Sequence, residues 1–140
     1  MLSAKTQDAV LAMLQLAQDY PAGEPVQVRR IAERHGIPGT FLVQILHELK
    51  RAGLAASTRG AAGGYRLNRP PSEISLAEVV DVIEPAIDPT NCAAAESPLA
   101  PAVLDLCCDL ARDRRERLES LTLADLAERA SIGAGSMWYI

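Results

Sequence analysis

Apolar residues recur along this chain at intervals that change from segment to segment, and the intervals divide it into elements. Val10, Met13, Leu14 and Ala17 lie at the three- and four-residue spacing that lines one helix face. Ser3 suits the cap of that helix, and Asp19-Tyr20-Pro21 with Gly23 ends it. Glu24-Pro25-Val26 reads as a short linker or strand. Val28, Ile31 and Ala32 mark a second apolar face, followed by Gly36 where a left-handed cap is easy. Ile37-Pro38-Gly39-Thr40 is a tight turn, and Pro38 is suited to opening a helix. The spacing predicts that helix over 40–52, with Leu42, Ile45, Leu46 and Leu49 inward and Thr40, Gln44, His47 and Arg51 outward. Gly53 ends it.

The period then shortens. Leu54-Ala55-Ala56-Ser57-Thr58 reads as a strand, Arg59-Gly60-Ala61-Ala62-Gly63-Gly64 as a glycine-rich loop, and Tyr65-Arg66-Leu67 as a returning strand. Two short helices joined by a turn fit a helix-turn-helix, and a hairpin directly after one makes a winged helix. Ser75-Leu76-Ala77-Glu78 is a capping-box pattern opening a helix over Leu76, Val79, Val80 and Ile83, which Glu84-Pro85 stops. Residues 85–98 carry prolines and alanines and read as a loop. A long helix is predicted over 99–120. Its Leu104, Ala111 and Leu118 recur at seven, with Cys107 and Leu121 close to the second seam position and alternating Arg, Asp and Glu on the flanks. So much apolar surface at the end of a small domain calls for a partner helix from a second subunit. Thr122-Leu123-Ala124-Asp125 starts a last helix, expected to end near 130, before a tail with Trp138, Tyr139 and Ile140. The expected fold is therefore mostly α with a small β-hairpin wing. It divides into a winged helix-turn-helix at 1–84, a sensor-like loop at 85–98, a dimerisation helix with a final short helix at 99–130, and a tail at 131–140.

Charge sharpens this division. The chain of 140 residues carries a net charge of −4, yet residues 1–70 hold nine basic and five acidic residues while residues 71–140 hold five and thirteen. A basic first half in an acidic protein suggests a part that binds a polyanion and a part that stays off it. Apolar residues at 49% and charged residues at 23% fit a soluble globular protein of one domain. No apolar run is long enough to span a bilayer, so no membrane association is expected. The first residues lack a basic start followed by an apolar core, so no secretory signal is expected. Three cysteines argue against a disulfide scaffold, and a reducing cytoplasm is the expected compartment. The Gly60–Gly64 loop lacks the lysine and the following helix of a phosphate-cradling loop, and there is no nucleophile elbow, so no enzyme is expected.

Several strings together carry a resemblance. They are Ile31-Ala32-Glu33-Arg34-His35-Gly36-Ile37, Phe41-Leu42-Val43-Gln44-Ile45-Leu46, Leu49-Lys50-Arg51-Ala52-Gly53-Leu54, Ser57-Thr58-Arg59-Gly60 with Gly63-Gly64-Tyr65-Arg66-Leu67, Ile74-Ser75-Leu76-Ala77-Glu78-Val79-Val80, and Thr122-Leu123-Ala124-Asp125-Leu126. The chain resembles the Rrf-two (Rrf2) family of bacterial winged-helix transcription regulators, over about residues 1–84 well and 99–127 more loosely. The resemblance implies a homodimer whose recognition helix enters the major groove of an operator and whose wing reaches the adjacent minor groove. It also implies long C-terminal helices that cross to form the dimer. In many members it implies an iron–sulfur cluster held by three cysteines in the loop before the long helix. Cys92 sits where the first ligand would be. The next cysteines, Cys107 and Cys108, follow only after fourteen residues, inside the predicted helix. Neighbours in a helix point about 100° apart and make a poor chelating pair. The sequence thus points to an atypical or absent cluster and to no resident cofactor.

The candidate DNA contacts divide by chemistry. Gln44 can pair bidentately with adenine, and Thr40 can bond a base edge or touch a thymine methyl. His47 and Arg51 lie farther along the helix, where phosphate contact is expected. Arg59, with Gly60 beside it, sits at the wing tip and suits a narrow minor groove. Lys5, Arg29 and Arg30 are candidates for phosphate clamping. Two alternatives stay open. One is a redox or metal-responsive regulator using Cys92, Cys107 and Cys108. The other is a winged-helix protein-interaction module that binds no DNA.

Overall fold

The computed structural model describes residues 2–84 and 96–137, with side chains as far as 132. The expected loop at 85–95, Cys92 and residues 138–140 lie outside that range.

Helix α1 (Ala4–Asp19) starts where Ser3 was expected to cap it: the Ser3 Oγ accepts the Thr6 N–H at 3.2 Å. A short 3₁₀ turn (Tyr20–Ala22) follows, and Gly23 leaves it with φ +72°. Helix α2 (Val28–His35) ends on Gly36 at φ +66°, the left-handed cap that the sequence predicts. Helix α3 (Gly39–Arg51) begins directly after Pro38. Strands β1 (Ala55–Thr58) and β2 (Gly64–Leu67) form an antiparallel hairpin with Ala55 opposite Leu67 and Thr58 opposite Gly64. Val26 adds a one-residue third strand, exchanging backbone hydrogen bonds with Tyr65 at 2.7 and 2.9 Å. Helix α4 (Leu76–Ile83) carries the capping box in full, with Glu78 N–H to Ser75 Oγ at 3.2 Å and Ser75 N–H to the Glu78 carboxylate at 3.0 Å.

The core is one cluster. Met13 and Leu16 of α1, Ile31 of α2, Leu42, Ile45, Leu46 and Leu49 of α3, and Val79 of α4 are all buried, together with Leu67, Ile74 and Leu123. Burying each such side chain is worth about 1.5–3 kcal/mol before ordering costs. This core fixes α3 by its apolar stripe and leaves the other side of that helix in solvent.

Helix α5 (Ala100–Ser120) lies against α4, and α6 (Leu123–Met137) returns to pack on α1. The join between them is pinned: Leu76 N–H donates to Leu121 O at 2.8 Å, and Leu123 N–H to Ile74 O at 2.9 Å. The described residues 96–98 keep the end of the expected loop outside any helix. The last helix corrects the expected boundary, since it runs on to Met137 rather than ending near 130. Gly133 and Gly135 lie within this longer helix. Glycine costs about 1 kcal/mol in a helix interior, which weakens a helix without stopping it.

The apolar seam of α5 is also corrected. Leu104, Cys108, Ala111, Arg114 and Leu118 are half-buried, so the row at 104, 111 and 118 is turned towards the chain's own body. Leu99, Val103, Leu106 and Leu110, spaced four, three and four, are at least half exposed, and Cys107 beside them is exposed too. The free apolar stripe is this second row. Leu118 and Leu121 pack on the core in this orientation, and two ion pairs join the helix to α4 and its cap. The Arg114 guanidinium donates to Glu84 at 2.7 Å, and that of Arg115 to Asp81 at 2.6 Å. Among the described residues, no helix is long and apolar enough to cross a membrane.

Candidate nucleic-acid interface

The outward side of α3 is the first half of the candidate site. Thr40, Gln44, His47 and Arg51 are all exposed, as their spacing predicts, while Leu42, Ile45, Leu46 and Leu49 opposite them are buried. At 13 residues, the helix is about 20 Å long, which suits a major groove roughly 12 Å wide. Two residues that the sequence reading left off this face belong to it. Lys50 is exposed, and Val43 is 46% exposed among polar neighbours. A helical projection would have found Val43, which falls about 60° from Thr40 at 100° per residue.

The wing is the second half. Arg59 and Gly60 are exposed at its tip, Gly60 has φ +105°, and Gly63 N–H closes the turn onto Gly60 O at 3.0 Å. Two glycines are required by space. A Cβ on Gly63 would stand 2.1 Å from the Thr58 carbonyl oxygen, and one on Gly64 would stand 2.2 Å from the Val26 carbonyl oxygen. The wing therefore lies flush on the segment that leads into α2. Gln27, which precedes α2, donates its side-chain amide to Ala61 O at 2.8 Å. Nothing in the sequence pattern singles out Gln27, because its partner is a backbone carbonyl thirty-four residues away. Helix-turn-helix and hairpin are thus tied into one body.

The basic residues differ in how committed they already are. The Lys5 ammonium lies 3.2 Å from the Glu48 carboxylate, Arg29 pairs with Glu33 at 2.9 Å, and Arg30 stands 3.8 Å from Asp19. The three expected phosphate clamps each therefore have an acidic neighbour within the chain. The Glu33 hydrogen bond is also what raises the pKa of Arg29 above its ordinary value. Arg51 and Arg59, with Lys50, form no ion pair among the described residues, so their charge is available to a ligand. His47 is exposed and makes no side-chain hydrogen bond among the described residues. His35 does not join the face. Its ring is 3.0 Å from the buried Gln15 amide oxygen, and burial lowers its pKa below the usual histidine value.

Among the described residues, only two of the three cysteines can be compared with the three-cysteine set. Cys107 and Cys108 are neighbours on α5, the first exposed and the second half-buried, so their thiols leave the helix in different directions. No group of three or more His, Cys, Asp or Glu residues among the described residues could hold a metal ion.

Comparison with known proteins agrees with this geometry. The Rrf2 profile, described as an iron-dependent transcriptional regulator, matches residues 2–129. The chain is 36% identical over 137 residues to the HTH-type transcriptional regulator IscR of Serratia proteamaculans, covering 94% of this chain and 81% of the relative. Among solved structures, it is similar to CymR (YrzC), the global cysteine regulator of B. subtilis, with a TM-score of 0.79 and 31% identity over 92% of this chain and 97% of that one. It is likewise similar to T. potens IscR, with a TM-score of 0.74 and 32% identity over 93% of this chain and 88% of the other. These relatives are regulators rather than enzymes. The chain belongs to the Rrf2 family and is a DNA-binding transcription regulator of the winged-helix type.

Proposed function

We propose that the protein acts as a homodimer on an operator, with α3 of each copy in a major groove and the Arg59–Gly60 wing in the adjacent minor groove. The observation that carries this reading is the pairing of two exposed features on one rigid body. One is the polar side of α3, and the other is a wing tip whose arginine has no acidic partner among the described residues. In this arrangement Gln44 and Thr40 read base edges. His47, Lys50 and Arg51 contact phosphates, and Arg59 enters the narrow groove. Lys5, Arg29 and Arg30 contribute to phosphate binding only by leaving Glu48, Glu33 and Asp19. The second copy would cover Leu99, Val103, Leu106 and Leu110 on α5. A cytoplasmic location fits a regulator of this kind.

The residue evidence favours a regulator without a resident iron–sulfur cluster. A thiol-responsive variant of the same reading is favoured by one observation: Cys107 is exposed beside the apolar stripe of α5, where two copies would meet. The test of the main reading is a binding titration against duplexes selected from a random pool, at several salt concentrations. Binding through phosphates should weaken steeply with salt, with a slope of about −0.9 per neutralised phosphate in a log–log plot. Arg59→Ala should weaken binding by about 1–3 kcal/mol. A salt-insensitive interaction, or unchanged affinity in Arg59→Ala, would favour the protein-interaction module instead.

A further inference from the structure

The outward arc of α3 consists of Thr40, Val43, Gln44, His47, Lys50 and Arg51, all exposed. Five of the six are polar or charged. Val43 alone is apolar, and at 46% exposure it has been left in water in the first half of the helix. Helix-turn-helix proteins bring the N-terminal residues of this helix to base edges. Val43 is the fifth residue of α3, between Thr40 one turn before it and His47 one turn after it.

A valine exposed amid hydrogen-bonding side chains on a DNA-facing helix is suited to an apolar group on the ligand. The base edges of the major groove display only one apolar group, the C5-methyl of thymine. Lys50 and Arg51 on the same helix, and Arg59 on the wing, are exposed and form no ion pair among the described residues, which matches a polyanion rather than an apolar protein surface. The β-branched side chain is also stiff at χ1 in a helix, so it presents a fixed shape. We infer that Val43 is a specificity-determining residue that reads a thymine methyl in each half-site, next to the base pair contacted by Gln44. The inference rests on the DNA-binding reading above and goes one step beyond it.

The test uses the full chain and a duplex selected from a random pool. Each thymine of one half-site is replaced in turn by deoxyuridine, which removes the methyl group and leaves the hydrogen-bonding edge unchanged. At one position the wild-type protein should lose about three- to tenfold in affinity. Val43→Ala should bind the parent duplex more weakly by a similar factor and should ignore the deoxyuridine at that position. Alanine is a good former of exposed helix, so this variant should fold, which its circular dichroism would verify. The inference is overturned if the wild type ignores the methyl group at every half-site thymine, which would leave Val43 for a protein partner. It is equally overturned if Val43→Ala keeps the wild-type methyl dependence. Wild-type protein that shows no salt-sensitive binding to any duplex would sink the DNA-binding reading itself. That result differs from binding that is merely indifferent to the methyl group.

Discussion

Glu84 is one of the residues that join the DNA-binding head to α5, and replacing it by glutamine should loosen that joint in a pH-dependent way. Its carboxylate accepts the Ser3 backbone N–H at 3.0 Å, the Thr6 hydroxyl at 2.9 Å and the Arg114 guanidinium at 2.7 Å. It therefore binds the start of α1, the end of α4 and the middle of α5 at one point, with its side chain only 15% exposed. The Ser3 N–H most of all, then Arg114 and Thr6, hold its pKa down to about 2 against an ordinary 4.5, although burial pushes the other way. At 1.36 kcal/mol per pKa unit, the ionised carboxylate contributes about 3 kcal/mol to folding. A depressed pKa makes that contribution complete above the unfolded value near 4.5 and loses it as pH falls towards 2. At pH 3 roughly half of it remains. Urea denaturation of wild type and Glu84→Gln, at one protein concentration, should therefore give a stability gap of about 3 kcal/mol at pH 7 that narrows to about 1.5 kcal/mol at pH 3. The same gap at both pH values would show that the charge of Glu84 is not what holds the joint. A gap under about 0.5 kcal/mol at pH 7 would show that the joint itself contributes nothing.

Other outcomes follow from packing and chemistry. Gly64→Ala would drive a Cβ into the Val26 carbonyl, and a cost of roughly 2–3 kcal/mol in stability is expected from urea denaturation, together with weakened duplex binding as the wing shifts. Leu106→Asp would place a charge in the exposed α5 stripe, so sedimentation should find the 15.0 kDa single chain, against an expected twice that mass for the proposed wild-type homodimer. Protein purified without oxygen should be colourless, because Cys107 and Cys108 leave α5 in different directions. A brown protein with visible absorption would show that other ligands complete a cluster.

Much of this fold is written locally. Ser3, the Ser75–Glu78 pair and Gly36 act on backbone groups within a few residues, so their caps can be read from spacing alone. The buried face of α3 is equally legible, because four apolar residues at helical spacing allow one orientation. Legibility ends where two rows compete. Helix α5 carries apolar residues on two faces, and the face turned inward is the one whose Leu118 meets the core and whose arginines meet Glu84 and Asp81, some thirty residues earlier. The phosphate clamps expected at Lys5 and Arg30 illustrate the same limit, since Glu48 and Asp19 approach them only through the tertiary fold. Val43 is hard to single out for a different reason: polar residues mark the outer face of α3, whereas a base edge offers a methyl group as well as hydrogen-bonding atoms.

In the proposed complex, α3 and the wing occupy neighbouring grooves of a duplex, once in each of two half-sites. Footprinting of a selected duplex with one probe for each groove tests this most directly. Guanine N7 methylation reports the major groove, and hydroxyl-radical cleavage reports the sugars facing the minor groove. Two major-groove protections are expected, each flanked by a minor-groove protection that disappears with Arg59→Ala. Protection confined to a single groove, or a minor-groove footprint that persists without Arg59, would contradict it.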